Sequence, residues 1–190
     1  MSEIGVGLRA ALLLARGRAD GLALLTGQPD DAMQLAGRSF FALPVAALGF
    51  VGLHLIGWLT EVAPTSTAGG HAFAQDALSF VIGWIGFALL SHRIARTSGR
   101  AALWPRYITA WNWCNVVQYM MLVTASVPAL LGLPDPLVQA CWLIATGWAL
   151  WLEYFTTKLA LGLPAPQAIA MVALDFGLGV VVVLLMGTVG

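Results

Sequence analysis

Five stretches of about twenty apolar residues, the length a helix needs to cross a bilayer's hydrocarbon core, constrain this chain more than any other feature. They cover 39–59, 73–95, 103–131, 137–159 and 166–189, and the first reads SFFALPVAALGFVGLHLIGWL. Lipid offers no hydrogen-bond partner to a backbone N–H or C=O, so segments of this kind cross as helices. Short punctuation separates them: APTSTAGGH, RTSGR, GLPDP and LGLPAP, with Pro136 and Pro166 suited to the first turn of the helix that follows. The chain is 59% hydrophobic and only 9% charged, with a mean hydropathy of +0.85. Soluble domains carry about a quarter charged residues. The expected architecture is therefore all-α: an integral membrane bundle of five transmembrane helices.

The basic residues orient that bundle. Arg9, Arg16, Arg18 and Arg38 precede the first span, Arg93, Arg96, Arg100 and Arg106 flank the second loop, and Lys158 ends the fourth span. The other two loops, 62–71 and 132–136, have no lysine or arginine. Positive charge stays in the cytoplasm, so the sequence predicts a multi-pass protein of a bacterial-type cytoplasmic membrane, N-terminus inside and C-terminus outside. The net charge is zero and no basic tract points to nucleic acid.

The first 38 residues differ from the rest. Leu8, Ala11, Leu12 and Ala15 recur at helical spacing with Arg9 and Arg16 on another face, the pattern of a helix lying on the inner membrane surface. The short apolar core of this segment, closed by Arg16 and Arg18 without a cleavage site, is not that of a signal peptide. A second start follows at Pro29, with Asp30 and Asp31 where a helix dipole favours acids. Residues 1–38 thus form a cytoplasmic and interfacial segment, and 39–190 the transmembrane domain, with Pro44 expected to kink the first span.

Polar groups inside the spans are costly and have to face protein or water. Asn112 and Asn115 on the third span, Glu153 on the fourth and Asp175 on the fifth all come out roughly 9–18 Å from the cytoplasmic end at 1.5 Å per residue. Gln118 lies beside the asparagine stripe. The amides are expected to donate to Asp175, Glu153 or both, since an amide donates where a carboxylate accepts. Hydrogen bonds that glue the bundle are the preferred reading of this cluster. A proton, ion or small-molecule path is the alternative, with Asp175 its central residue. Gly177 and Gly179 are read as close-packing positions beside Asp175, as are the pairs Gly49/Gly52 and Gly83/Gly86. Asp76 is read as an acid in the first turn of the second span.

His54, deep in the first span, is expected to be a hydrogen-bonded core residue; a haem or chlorophyll ligand is the less favoured reading, because no second axial residue stands at matching depth. Cys114 and Cys141 read as small core residues, not a disulfide. The eight tryptophans suit membrane boundaries and helix packing. No metal-ligand spacing and no hydrolase, P-loop or dinucleotide motif occurs. Bound lipids are the only small molecules the sequence calls for.

The five-span layout, the segment TGQPDDAMQLAGRSF before the first span and the short outer C-terminus resemble the Yip1-like membrane proteins, including small bacterial members. YITAWNWCNVVQY is similar to the third span of other bacterial inner-membrane proteins. The acidic-Leu-Gly-Pro signature of the eukaryotic Yip1 branch is absent. The resemblance implies a non-catalytic role in membrane organisation or partner binding, and no site residues carry over. The leading expectation is a non-enzymatic scaffold or accessory subunit, in contact with lipid and with other membrane subunits or a second copy. A small proton- or ion-coupled transporter comes second, and a pigment- or haem-binding subunit third.

Overall fold

The computed structural model describes residues 3–25, 32–60 and 68–187. Among these, every regular element is helical: α1 (Glu3–Leu14), α2 (Asp20–Leu25), α3 (Ala32–Ser39), α4 (Ala42–Thr60), α5 (Ala68–Thr97), α6 (Trp104–Leu130), α7 (Asp135–Leu161) and α8 (Ala165–Gly187), with one 3-10 turn at Ala101–Leu103. Four stretches are long and apolar enough to cross a membrane: Ala32–Thr60, Ala72–Thr97, Ala101–Leu130 and Ala165–Leu185. The fourth expected span, 137–159, lies in α7, which is as long as α6 at 27 residues but carries Glu153 and Lys158 and is not among the four. The expected restart at Pro29–Asp31 lies outside the described residues. The break near the first span falls at Phe40–Phe41, between α3 and α4, and Pro44 sits harmlessly in the first turn of α4, where its missing N–H is not needed. The apolar helical run containing that span begins at Ala32, upstream of the expected Ser39.

α6 is the axis of the fold. It packs against α4 on one side and α7 on another, while α8 packs against α5 and α7. The close approach to α4 is possible because Gly49 has no side chain: a Cβ there would come within 2.8 Å of the Tyr119 Cβ. At the arginine-bearing end, α7 stops on Gly162, whose φ of 61° is the left-handed conformation glycine adopts freely. Arg100 donates to the carbonyls of Leu161 and Gly162 at 2.5 and 2.6 Å, and Arg106 Nε to that of Ala160 at 2.6 Å. These guanidinium groups satisfy the orphan carbonyls and sit at the negative end of the helix dipole.

α1 crosses this framework sideways. It begins beside α3, where Glu3 pairs with Arg38 at 2.6 Å, passes α6 with Gly7 against the Trp113 ring, and ends near α7, where Gly17 faces the Trp151 ring. A Cβ at Gly7 would fall inside the Trp113 indole. The face that packs is Gly7, Ala10, Ala11 and Leu14, one step round from the stripe expected from the sequence. Small residues win because they let the α1 backbone come down onto the wide Trp113 ring. The expected stripe exists as a second face. Ile4 and Leu12 remain 45% and 42% exposed. At 100° per residue Ile4, Leu8, Leu12 and Ala15 stand about a quarter-turn from the buried face, and Arg9 and Arg16 stand opposite it.

Packing is uneven along the bundle. In α6, Pro105 and the run from Tyr107 to Cys114 are buried, with Val116 and Val117 following. Beyond Gln118 most side chains are only partly covered. The exposed apolar residues concentrate at the same end: Leu48, Val51 and Leu55 on α4, Leu143 and Ile144 on α7, and Val181 to Leu185 on α8 apart from Val182.

Candidate functional site

The tightest polar feature is a directed hydrogen-bond chain through Asn112, which has no exposed surface. The indole N–H of Trp84 on α5 can only donate, so it fixes the Asn112 carbonyl oxygen opposite it, at 2.9 Å. The amide nitrogen then donates to Ser39 Oγ on α3 at 2.7 Å, and Ser39 donates to the Ala36 carbonyl at 2.6 Å. The chain of bonds ties three helices together. Asn112 therefore does not serve a carboxylate, as the sequence led us to expect. Neither does Asn115, whose amide donates to the Trp111 carbonyl of its own helix at 2.9 Å. Gln118 donates to the Ala149 carbonyl on α7 at 2.8 Å. Only the Asn115 bond is local, four residues back along its own helix; the partners of Asn112 and Gln118 are supplied by neighbouring helices.

Glu153 on α7 and Asp175 on α8 line a common groove where these two helices pack together, close enough for their charges to interact. Two carboxylates so placed repel unless they share a proton. Trp111 Nε1 donates to Asp175 Oδ2 at 3.3 Å. Glu153 is only 7% exposed, and among the described residues nothing donates to its Oε1. None of the ion pairs among the described residues involves either acid, and Lys158 lies near the Tyr154 ring instead. Below the pair, toward the arginine-bearing end, the hydroxyls of Tyr107 and Thr157 are buried next to one another without completing a well-formed bond.

Hollows beside Arg93 and Arg96 and beside Arg38 and Trp113 include neither Glu153 nor Asp175. The two cavities that this pair lines run toward the other end of the bundle. One, of about 310 Å³, runs between α4, α5, α6 and α8 from Asp175, Trp111 and Asn115 past Tyr119 and Ser79 to His54 and Asp76. Ser79 Oγ is buried with no partner among the described residues, which marks this cavity as suited to water. A second, of about 530 Å³, is a groove between α6, α7 and α8 with Glu153 and Asp175 at its floor. A third, of about 750 Å³, continues from His54 and Asp76 past Trp58 and Phe73.

His54 has both ring nitrogens engaged: Nδ1 lies 3.0 Å from the Phe50 carbonyl and Nε2 3.0 Å from Asp76 Oδ2. Both partners are acceptors, so the set is complete only when both nitrogens carry hydrogen or when Asp76 itself donates to Nε2. Binding a haem iron through either nitrogen would break one of these bonds. No group of three His, Cys, Asp or Glu side chains among the described residues is arranged to hold a metal. Asp76 lies eight residues into α5, because that helix starts at Ala68, and so is a partner of His54, not a first-turn acid. The pairing had a signal in the sequence: His54 and Asp76 stand at similar distances from the loop that joins their helices, as facing residues of a helical hairpin do. One further expectation changes. Gly177 and Gly179 have no neighbour within 4 Å of where a side chain would start, so they line open space and do not bring a helix close. Cys114 and Cys141 are both free; Cys114 Sγ lies 3.4 Å from Thr156 Oγ1.

The functional roles of the tryptophan indoles were not visible in the sequence. Trp84 and Trp111 lie edge to face, with ring centroids 5.3 Å apart, and each aims its N–H at a different polar group. Residue identity alone does not say which way an indole turns. No protein family, no characterised protein and no solved structure matches this chain. The Yip1-like resemblance thus rests on layout, and function has to be argued from the site.

Proposed function

We propose that this protein is a small proton-coupled transporter of a bacterial-type cytoplasmic membrane. The observation that carries the proposal is the Glu153–Asp175 pair: two acids from neighbouring helices, with no basic partner among the described residues, lining two cavities that both run away from the arginine-bearing end. A shared proton is the simplest way to hold such a pair together inside an apolar bundle. One of these cavities links the pair to His54 and Asp76, which are hydrogen-bonded to each other. The packed layer of Tyr107, Thr157 and their neighbours closes the other side. One-sided access to a proton-binding centre is what an alternating-access carrier presents in one of its two states.

The same reading takes α7 as a fifth crossing. α6 leaves the arginine-bearing end and α8 starts again beside it, near Gly162 and Arg100, so the helix between them has to return the full distance. α1 then lies in the inner interface, with Gly7, Ala10, Ala11 and Leu14 toward α6, the Ile4–Leu8–Leu12 face toward acyl chains and Arg9 and Arg16 toward headgroups. With the arginines in the cytoplasm, the cavities open toward the outside.

The test uses the purified protein in liposomes. A protonated-carboxyl band in the infrared difference spectrum between low and high pH is expected, and should vanish in Asp175→Asn and Glu153→Gln. Proton flux driven by an imposed potential, followed with an internal pH dye, should fall at least tenfold in both. A wild-type protein with neither band nor flux would defeat the proposal. The scaffold or accessory-subunit role expected from the sequence would then take its place, since the apolar faces of α4 and α8 could meet partner helices as well as lipid.

A further inference from the structure

We infer that the groove between α6, α7 and α8 binds a lipophilic organic cation, with the Glu153–Asp175 pair as its counter-charge. This rests on the reading of that pair as the proton-binding centre and names what exchanges with the proton. The groove's volume of about 530 Å³ falls within the range of small-molecule sites, about 300–1,000 Å³. Its walls are apolar and aromatic: Leu122, Trp142, Leu150, Phe176, Val180 and Leu184. Several of these, Phe176 and Leu184 above all, are exposed on the outside of the bundle, so the groove faces the acyl chains and admits a molecule that partitions into them. A sugar or other polar solute would find few groups to bond. Apart from the two acids only Gln118 and Thr146 bring polar side chains to the lining, and Gln118 is already donating to Ala149.

The floor decides the charge. Glu153 is nine-tenths buried, lines the groove, and keeps one oxygen without a donor among the described residues. No lysine or arginine lines the groove, so an anion would meet only like charge. A hard metal ion needs about six oxygen ligands in a compact shell, and the two acids cannot supply them. A large organic cation needs no such shell: it takes the carboxylates as counter-charge and aromatic faces such as Trp142 and Phe176 as further contact. The balance is simple. The pair with one proton carries one negative charge; when the cation enters and the proton leaves, the site as a whole carries the same charge. The titratable groups that face the pair are Tyr107, Cys114 and Tyr119 on α6, with His54 and Asp76 on α4 and α5 across the neighbouring cavity. Lys158, farther along α7, pairs with neither acid.

The experiment is equilibrium binding of radiolabelled tetraphenylphosphonium to the full-length protein in lipid nanodiscs. Saturable binding of one ion per chain is expected, strengthening as pH rises and releasing about one proton per ion bound in unbuffered solution. Neutral triphenylphosphine oxide should not compete. Asp175→Asn and Glu153→Gln should each weaken binding at least tenfold, and Val180→Trp, which fills the groove without touching the acids, should also abolish it. Variants are scored only when they elute as single folded species. Binding that survives in both acid variants, or no saturable binding to the folded wild type, overturns the inference. Proton flux that depends on Asp175 without any tetraphenylphosphonium binding would leave the proton-coupled reading standing and remove this substrate class. Acid-dependent binding without flux would do the reverse.

Discussion

The two halves of the bundle are built on different terms. At the arginine-bearing end, α6 is surrounded by α1, α2, α3 and α7, with α5 completing the ring; its residues from Tyr107 to Cys114 are all buried, and the Asn112 chain ties three helices together. At the other end the same helices part. The cavities lined by the acids open there and leucines and valines face outward, while buried oxygens without partners among the described residues occur in both halves, at Ser79 in one and at Tyr107 and Thr157 in the other. The difference teaches where rigidity and freedom have been placed. The packed half excludes alternatives and holds register. The open half has room for water, a ligand and movement, and the acid pair sits at the seam between them.

The sharpest way to break this comparison is to truncate one large side chain in each half. Tyr107→Ala removes a fully buried ring and should cost about 3–5 kcal/mol, whereas Phe176→Ala, at an exposed position on α8, should cost under about 0.5 kcal/mol. Thermal unfolding in mild detergent reads both, and equal losses would mean that the halves are packed alike. Next in size is the pair Asn112→Leu and Gln118→Leu. The first strands the Trp84 N–H and should cost about 2–3 kcal/mol; the second removes one membrane hydrogen bond, about 0.6 kcal/mol on average. The smallest contrast is between glycines. Gly7→Val drives a side chain into Trp113 and should cost about 1–3 kcal/mol through overpacking, seen as earlier protease cleavage within residues 3–25. Gly177→Val enters open space and should leave the melting temperature nearly unchanged.

The five long helices and their spacing were legible in the sequence, because apolar run length and proline–glycine punctuation are local properties; the short α2 was not. Each expected span has its helix, with ends shifted by a few residues, except that the first is preceded by the separate turns of α3. That Glu153 and Asp175 stand at a common level along their helices was also legible. Rise per residue is constant, so the two could be put at one level before any contact was known. The partners of the polar groups could not. Whether Asn112 meets a carboxylate or an indole depends on how α5 and α6 are rotated about their own axes, and Leu, Ala, Val and Trp surround every candidate face alike. The α1 face was misjudged by one step for a related reason: hydrophobicity favours Leu8 and Leu12, while docking onto α6 selects the smallest residues, Gly7, Ala10 and Ala11.

From the sequence alone came an all-helical chain with runs fit to cross a membrane, its charge gathered at one end and two acids at a common level along their helices. Those follow from composition and from helix geometry, which every residue obeys wherever it sits. Only the tertiary structure decided that Glu153 meets Asp175, that His54 meets Asp76, and that the two cavities lined by the acids run away from the arginine-bearing end. Such pairings depend on the rotation and tilt of one helix against another, which are set by the sum of many packing contacts and by no single stretch of the chain.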